Sequence, residues 1–151
     1  DATNLIQDAG SAQDKSRREI LDGRVIEDEF RTDDDVQIAH FDVVDATGKY
    51  TDELDAFGAF IAIEQAYASL MRYMYQAHDS LSFFVGGDNI IAVCPDLDAA
   101  AYDDAIEHVQ QETGIPVRVG VGEGSTPHDA GFAAKHALEV GRAEESLVEF
   151  H

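Results

Sequence analysis

Two apolar runs joined by four turn-forming residues constrain this chain more than any other feature: LSFFV (81–85), GGDN (86–89) and IIAVC (90–94). Such a pattern predicts a β-hairpin. A lone hairpin is barely stable in water, so these strands must belong to a larger sheet. The flanking sequence supplies it. VQIAHFDVVD (36–45) reads as a buried strand rich in Val, Ile and Phe, followed by the loop ATGKYTDE. A long helix is expected over 54–78. Its apolar residues Phe57, Phe60, Ile61, Ile63, Tyr67, Leu70, Met71 and Met74 recur at intervals of three and four, which predicts a core stripe. Pro95 ends the hairpin. A second helix is expected over 98–113, with Asp98 as its N-cap. VRVGVGEG (117–124) is a further strand, its glycines pointing to a close backbone approach or a bulge. Thr126-Pro127 opens a helix that reaches about Arg142, and SLVEF (146–150) makes a last strand at an edge.

The order is β-α-β-β-α-β-α-β. Its first six elements form the split βαβ, ferredoxin-like unit, an antiparallel sheet backed by helices. The expected class is α+β, with an αβ extension on a βαββαβ core. Ahead of it, residues 1–11 read as the end of a helix stopped by Gly10. Residues 12–35 form a charged linker with a short helix at about 13–22 and a solvated acidic turn at its end. The compact domain is expected over 36–151. The chain starts at Asp1, as a processed chain or a piece of a longer protein would.

Composition narrows the function classes. At 151 residues the chain can bury roughly 68–70% of its unfolded surface. With Cys94 alone it forms no internal disulfide and no thiolate zinc site. Acids number 31 against 10 bases, a net charge of −21. That surface is a poor partner for duplex nucleic acid, which needs a basic footprint, and for an anionic membrane. Apolar content of 44% argues against disorder. Acids spread along the whole chain fit an enzyme of a salt-rich cytoplasm, where ionic strength screens the self-repulsion. An acidic scaffold for basic partners is the weaker alternative. No apolar run is long enough to span a bilayer, and residues 1–20 do not form a signal peptide.

Two carboxylates stand out by position. Asp42 lies near the end of the first strand and Asp88 at the hairpin tip, and the split βαβ topology makes these strands neighbours. Two close carboxylates repel, and a hard divalent cation resolves that repulsion. Gly86 and Gly87 leave room for a ligand to approach the backbone, where consecutive amides can cradle phosphate. Taken singly, GGDN is an ordinary turn and a strand-terminal Asp an ordinary cap; in one topological register they are more specific. Other candidates have plainer readings. His40 reads as a satisfied core histidine, His128 and His136 as surface residues, and Cys94 as a buried small hydrophobe. Lys135 faces solvent or the site.

The VGGDN hairpin beside AHFDVVDATG resembles the nucleotidyl-cyclase-like palm fold that includes the GGDEF family. Together with GSAQDKSRREIL and VRVGVGEGSTPHDAGFAAKHALEVGR, it resembles the carboxy-terminal half of archaeal GTP cyclohydrolase III over nearly the whole chain. The resemblance implies Mg²⁺-dependent hydrolysis of GTP to 2-amino-5-formylamino-6-(5-phosphoribosylamino)pyrimidin-4(3H)-one with release of pyrophosphate, feeding flavin and deazaflavin synthesis. It implies two palms per family chain, so an amino-terminal palm would be missing here, and association into a homo-oligomer. Carried over by position, Asp42, the Val43 carbonyl and Asp88 would hold the metal, with Asp42 and Asp88 the catalytic acids. Gly86, Gly87 and Asn89 would border the substrate, and Arg142 would meet its phosphates. Asp45, Thr47, Gly48 and Lys49 would fall in the loop beside the triphosphate. Asn89 departs from the diguanylate cyclases, which carry an acid there. Two alternatives stand beside the hydrolase: a catalytically silent GTP-binding palm, and a GGDEF-like nucleotide cyclase, which Asn89 disfavours.

Overall fold

The computed structural model describes residues 35–44 and 56–151. The expected helices ahead of residue 35 and the loop holding Asp45, Thr47, Gly48 and Lys49 lie outside the described residues. The elements follow the expected order: β1 (Val36–Val43), α1 (Ala56–His78), β2 (Leu81–Gly86), β3 (Asn89–Cys94), α2 (Ala99–Thr113), β4 (Val117–Gly124), α3 (Pro127–Glu144) and β5 (Val148–Phe150). The strands form one sheet in the order β2-β3-β1-β4-β5. The first four pair antiparallel, as the split βαβ unit requires. The β4–β5 pair is parallel, because α3 carries the chain back along the sheet before β5 begins.

Side-chain alternation puts two different layers on the two faces of the sheet. Ala39, Phe41 and Val43 of β1, with Ile90, Ala92, Val117, Val119 and Val121, meet α1 and α2 through Leu70, Met74, Tyr102, Ile106 and Val109. The opposite face carries Val36 and Ile38 and receives α3 through Ala130 and Ala134. β1 is therefore covered on both sides, which explains why its sequence is apolar almost without interruption.

The glycines of β4 mark a close backbone approach, not a bulge. A Cβ on Gly120 would stand 2.2 Å from the Leu138 nitrogen, and one on Gly122 would stand 2.2 Å from the Ala134 nitrogen. The α3 backbone thus lies directly on the strand, with Ala134, Ala137 and Gly141 keeping its inner face small. Local signals fix the helix ends. The Asp98 side chain accepts from the Ala101 amide at 3.0 Å, and Gly114 closes α2 in the left-handed region at φ 75°. Thr126 caps α3, with Pro127 in its first turn.

One expectation fails. The stripe on α1 is core only from its middle onward: Tyr67, Leu70 and Met74 are buried, whereas Phe57, Phe60 and Ile61 are 70%, 55% and 44% exposed. The three-four spacing correctly marks an apolar helix face. The described part of the sheet and α2 reach only the carboxy-terminal portion of that face, so periodicity overestimates the core.

Candidate active site

The sheet places Asp42 directly between two neighbours. Across β1–β3 it pairs with Asn89, the residue after Asp88, and across β1–β4 with Arg118. It shares the α3-facing side of β1 with Ile38 and His40. The C-terminal turn of α3 brings Arg142 over the same spot. The Arg142 Nε donates to Asp42 Oδ2 at 2.8 Å, and a second guanidinium nitrogen, Nη2, donates to that same oxygen. On the other side, Arg118 Nε stands 3.5 Å from Asp42 Oδ1 as an ion pair, and neither of these buried atoms makes a hydrogen bond.

The Asp42 carboxyl is held above its ordinary titration range. Burial is the largest cause, since it strips water from the charged form. The hydrogen bond and charge of Arg142, and the charge of Arg118, pull the other way, while the Asp88 charge adds to the upward push. Asp88 thus stands one residue from the strand partner of Asp42.

The hairpin tip is tighter than the sequence suggests. β2 and β3 extend to Gly86 and Asn89, leaving only Gly87 and Asp88 as the turn, with a bulge between Phe84 and Gly86. Gly86 has φ 121° and Gly87 has φ 63°, conformations that side chains with a Cβ resist. Asn89 clasps the turn. Its Nδ2 donates to the Gly86 carbonyl at 3.2 Å and to Asp88 Oδ1 at 3.1 Å. Its Oδ1 lies 2.9 Å from His40 Nε2, so the imidazole donates that proton to the amide oxygen. His40 is satisfied as expected, though half-buried and not in the core, and it ties the tip to β1. From α1 the Tyr67 hydroxyl donates to the Gly87 carbonyl at 3.3 Å. Burial, then the Asp88 charge, pushes the Tyr67 hydroxyl well above its ordinary titration range, so it stays a neutral donor.

The structure thus gathers Asp42, Asp88, Gly86, Gly87, Asn89 and Arg142 at one end of the sheet. Val43 is the next residue on β1, paired with Val117. Asp45, Thr47 and Gly48 lie outside the described residues. His128, His136 and Lys135 lie on exposed α3 positions and take no part. Cys94 is buried, and burial pushes its thiol up, away from nucleophile character. Sequence reasoning missed Arg118 and the hydroxyl of Tyr67. An arginine near the start of a strand whose next four residues are valine and glycine was the signal for the first. A tyrosine in a buried stripe, whose hydroxyl must find a partner, was the signal for the second.

Among the described residues no three His, Cys, Asp or Glu side chains converge as a metal cage. A Mg²⁺ ion needs fewer. It is commonly held by one or two carboxylates with phosphate and water completing the shell. Asp42 Oδ1, which accepts no hydrogen bond, and the neighbouring Asp88 carboxylate fit that donor set.

A family profile for GTP cyclohydrolase III matches residues 1–149. The chain belongs to the GTP cyclohydrolase III family. Within that family it is 65% identical over 148 residues to GTP cyclohydrolase III 1 of Halobacterium salinarum, covering 98% of this chain and 58% of that protein. It is 65% identical over 149 residues to GTP cyclohydrolase III of Natronomonas pharaonis, covering 99% and 59%. Against the Methanococcus maripaludis C5 protein of the same name, identity is 38% over 139 residues, covering 92% and 51%. This family member thus spans little more than half the length of these curated relatives. Among solved structures it resembles the GGDEF domain of DgcB from Caulobacter crescentus, bound there to c-di-GMP, with a TM-score of 0.62 at 15% identity, covering 78% of each chain. It also resembles a bacterial light-regulated adenylyl cyclase, with a TM-score of 0.64 at 14% identity, covering 99% of this chain and 54% of that one. At these identities the likeness establishes the palm fold and nothing further.

Proposed function

We propose that this chain carries the nucleotide site of a GTP cyclohydrolase III. The reaction is hydrolysis of GTP with opening of the imidazole ring at C8, giving the formylaminopyrimidine ribonucleotide monophosphate and pyrophosphate. The observation that carries the reading is the meeting of Asp42 with the Gly87-Asp88 tip under two arginines. Family membership supports the substrate class. Bound Mg²⁺ would neutralise charge on the phosphates and on the departing pyrophosphate. Asp42 and Asp88 would hold the ion, with the Val43 carbonyl as a third donor. Gly86 and Gly87 let the phosphate chain approach the backbone. Arg142, half in solvent, reaches the phosphates, where a guanidinium binds in two-point fashion. Asn89 keeps Asp88 aimed by holding the turn and His40 together. That commitment leaves the hairpin without the second acid that diguanylate cyclases carry, which favours hydrolysis over cyclisation.

A second reading has a specific observation behind it. Because the chain covers 58% of its Halobacterium relative, the rest of such a protein, which the family resemblance implies to be a further palm, would complete a site that this chain alone only binds GTP into. Association of the chain with itself would be another way to complete it.

One assay separates these readings. The chain is incubated with GTP and Mg²⁺ in molar KCl, which screens its −21 charge, and pyrophosphate and the guanine ultraviolet spectrum are followed together. Pyrophosphate with loss of the guanine spectrum is the expected result, and Asp88→Ala abolishes it while leaving the circular dichroism spectrum intact. Pyrophosphate with an intact guanine spectrum would point to cyclase or pyrophosphohydrolase chemistry. GTP binding without turnover would select the silent palm.

A further inference from the structure

The charges at the end of β1 cancel. Asp42 and Asp88 contribute two negative charges, Arg118 and Arg142 two positive ones. The arginines are not equivalent. The Arg118 side chain is 14% exposed, and its Nη1 donates to the Gly141 carbonyl at 3.4 Å, so α3 holds it in place. The Arg142 side chain is 48% exposed and spends two nitrogens on the single oxygen Asp42 Oδ2. An arginine that is half in water can swing away at little cost; one enclosed between strand and helix cannot.

The ion pair has a consequence for any divalent cation. An ion entering beside Asp42 must compete with Arg142 for the carboxylate. Without an accompanying anion it would leave one uncompensated positive charge in a largely buried spot once Arg142 has swung away, and two if Arg142 stays, which is unfavourable. A polyphosphate changes both terms. It neutralises the ion, and it offers the displaced guanidinium a better partner, since arginine binds phosphate oxygens in two-point fashion.

We propose that Arg142 is the internal counter-ion of Asp42 in the nucleotide-free chain, and that it transfers to the phosphates when cation and nucleotide enter, so that the two bind cooperatively. The proposal rests on the nucleotide reading above and adds its order of events. Arg118 stays and keeps Asp42 oriented. Coupling of this kind is reciprocal: nucleotide tightens the cation by the factor by which the cation tightens nucleotide.

The test measures Mn²⁺ binding by electron paramagnetic resonance in molar KCl, with and without α,β-methylene GTP, subtracting the Asp42→Asn variant as the background of the acidic surface. The wild-type chain should bind Mn²⁺ weakly alone and about tenfold or more tightly with the nucleotide. Arg142→Gln should bind Mn²⁺ about tenfold tighter than wild type without nucleotide and lose most of the nucleotide-dependent gain. Arg142→Lys, which keeps a charge but not the fork, should fall between them. Unfolding curves of both variants check that the fold is retained, and the lysine variant carries the test if the glutamine one is unstable. If Arg142→Gln binds Mn²⁺ alone no better than wild type, Arg142 is no counter-ion and the proposal is overturned while the nucleotide site stands. If the wild-type chain binds neither Mn²⁺ nor the nucleotide above the background, the nucleotide reading fails and takes this proposal with it.

Discussion

The two faces of the sheet are closed by different means. On one, α1 and α2 interdigitate large side chains: Leu70, Met74, Tyr102 and Ile106 against the valines of β4. On the other, α3 rests its backbone on the glycines of β4 with almost nothing between. Side-chain packing tolerates small shifts, because rotamers and neighbours can adjust. A backbone contact cannot adjust in that way, so it fixes the depth of the helix on the sheet. The site lies at the end of the rigidly seated helix. Arg142 meets Asp42 because α3 has one available depth on the sheet.

The sharpest way to break this comparison is Gly122→Val. Its side chain would collide with the Ala134 nitrogen, so α3 must lift. We expect a loss above about 3 kcal/mol by urea unfolding in molar KCl, together with loss of nucleotide binding. A cost under about 1 kcal/mol would show that α3 is not seated as described. Leu70→Ala probes the other face. It should cost about 3 kcal/mol through lost burial and a cavity, yet leave nucleotide affinity unchanged at temperatures where the variant is folded. Equal damage to affinity in both variants would erase the distinction between the faces.

Gly86→Ala sharpens the reason glycines are needed. Its Cβ would meet nothing within 4 Å, but the residue holds φ 121°. The expected cost is about 1–2 kcal/mol of backbone strain, without steric conflict, visible as a shift in the urea midpoint. The smallest effect concerns the start of α3. The Thr126 hydroxyl bonds the Asp129 carboxylate at 2.8 Å and holds its titration below the ordinary range. A lowered value means that the stabilisation is present above the ordinary aspartate range and disappears as pH falls through the folded-state value. Asp129→Asn should therefore melt slightly below wild type at pH 7, with the gap closing under strongly acidic conditions.

Much of this was legible in the sequence. Element order, the hairpin, the Asp98 cap, the helix start at Thr126-Pro127 and the adjacency of Asp42 to the GGDN tip follow from periodicity, turn residues and topology. The parts that were not legible depend on three-dimensional neighbours. Nothing in the spacing of Phe57, Phe60 and Ile61 reveals that the described sheet falls short of them. Arg118 becomes a partner of Asp42 only once the β1–β4 register is known, since the two are far apart in sequence. Arg142 was read as a phosphate ligand, and its ion pair with Asp42 depends on the depth of α3, which the glycine pattern hints at without fixing. The role of Asn89 as a clasp likewise needs His40 across the strand.

β1 is enclosed by helices on both faces and by strands on both sides, whereas β2 has no strand beyond it among the described residues. Amide hydrogens should therefore exchange on very different clocks. Those of β1 should wait for global unfolding, and those of the β2–β3 tip should open locally and far sooner. The two acids of the site thus belong to segments with different lifetimes. Asp42 is a fixed post, and Asp88 stands on a tip held by the Asn89 amide and the Tyr67 hydroxyl.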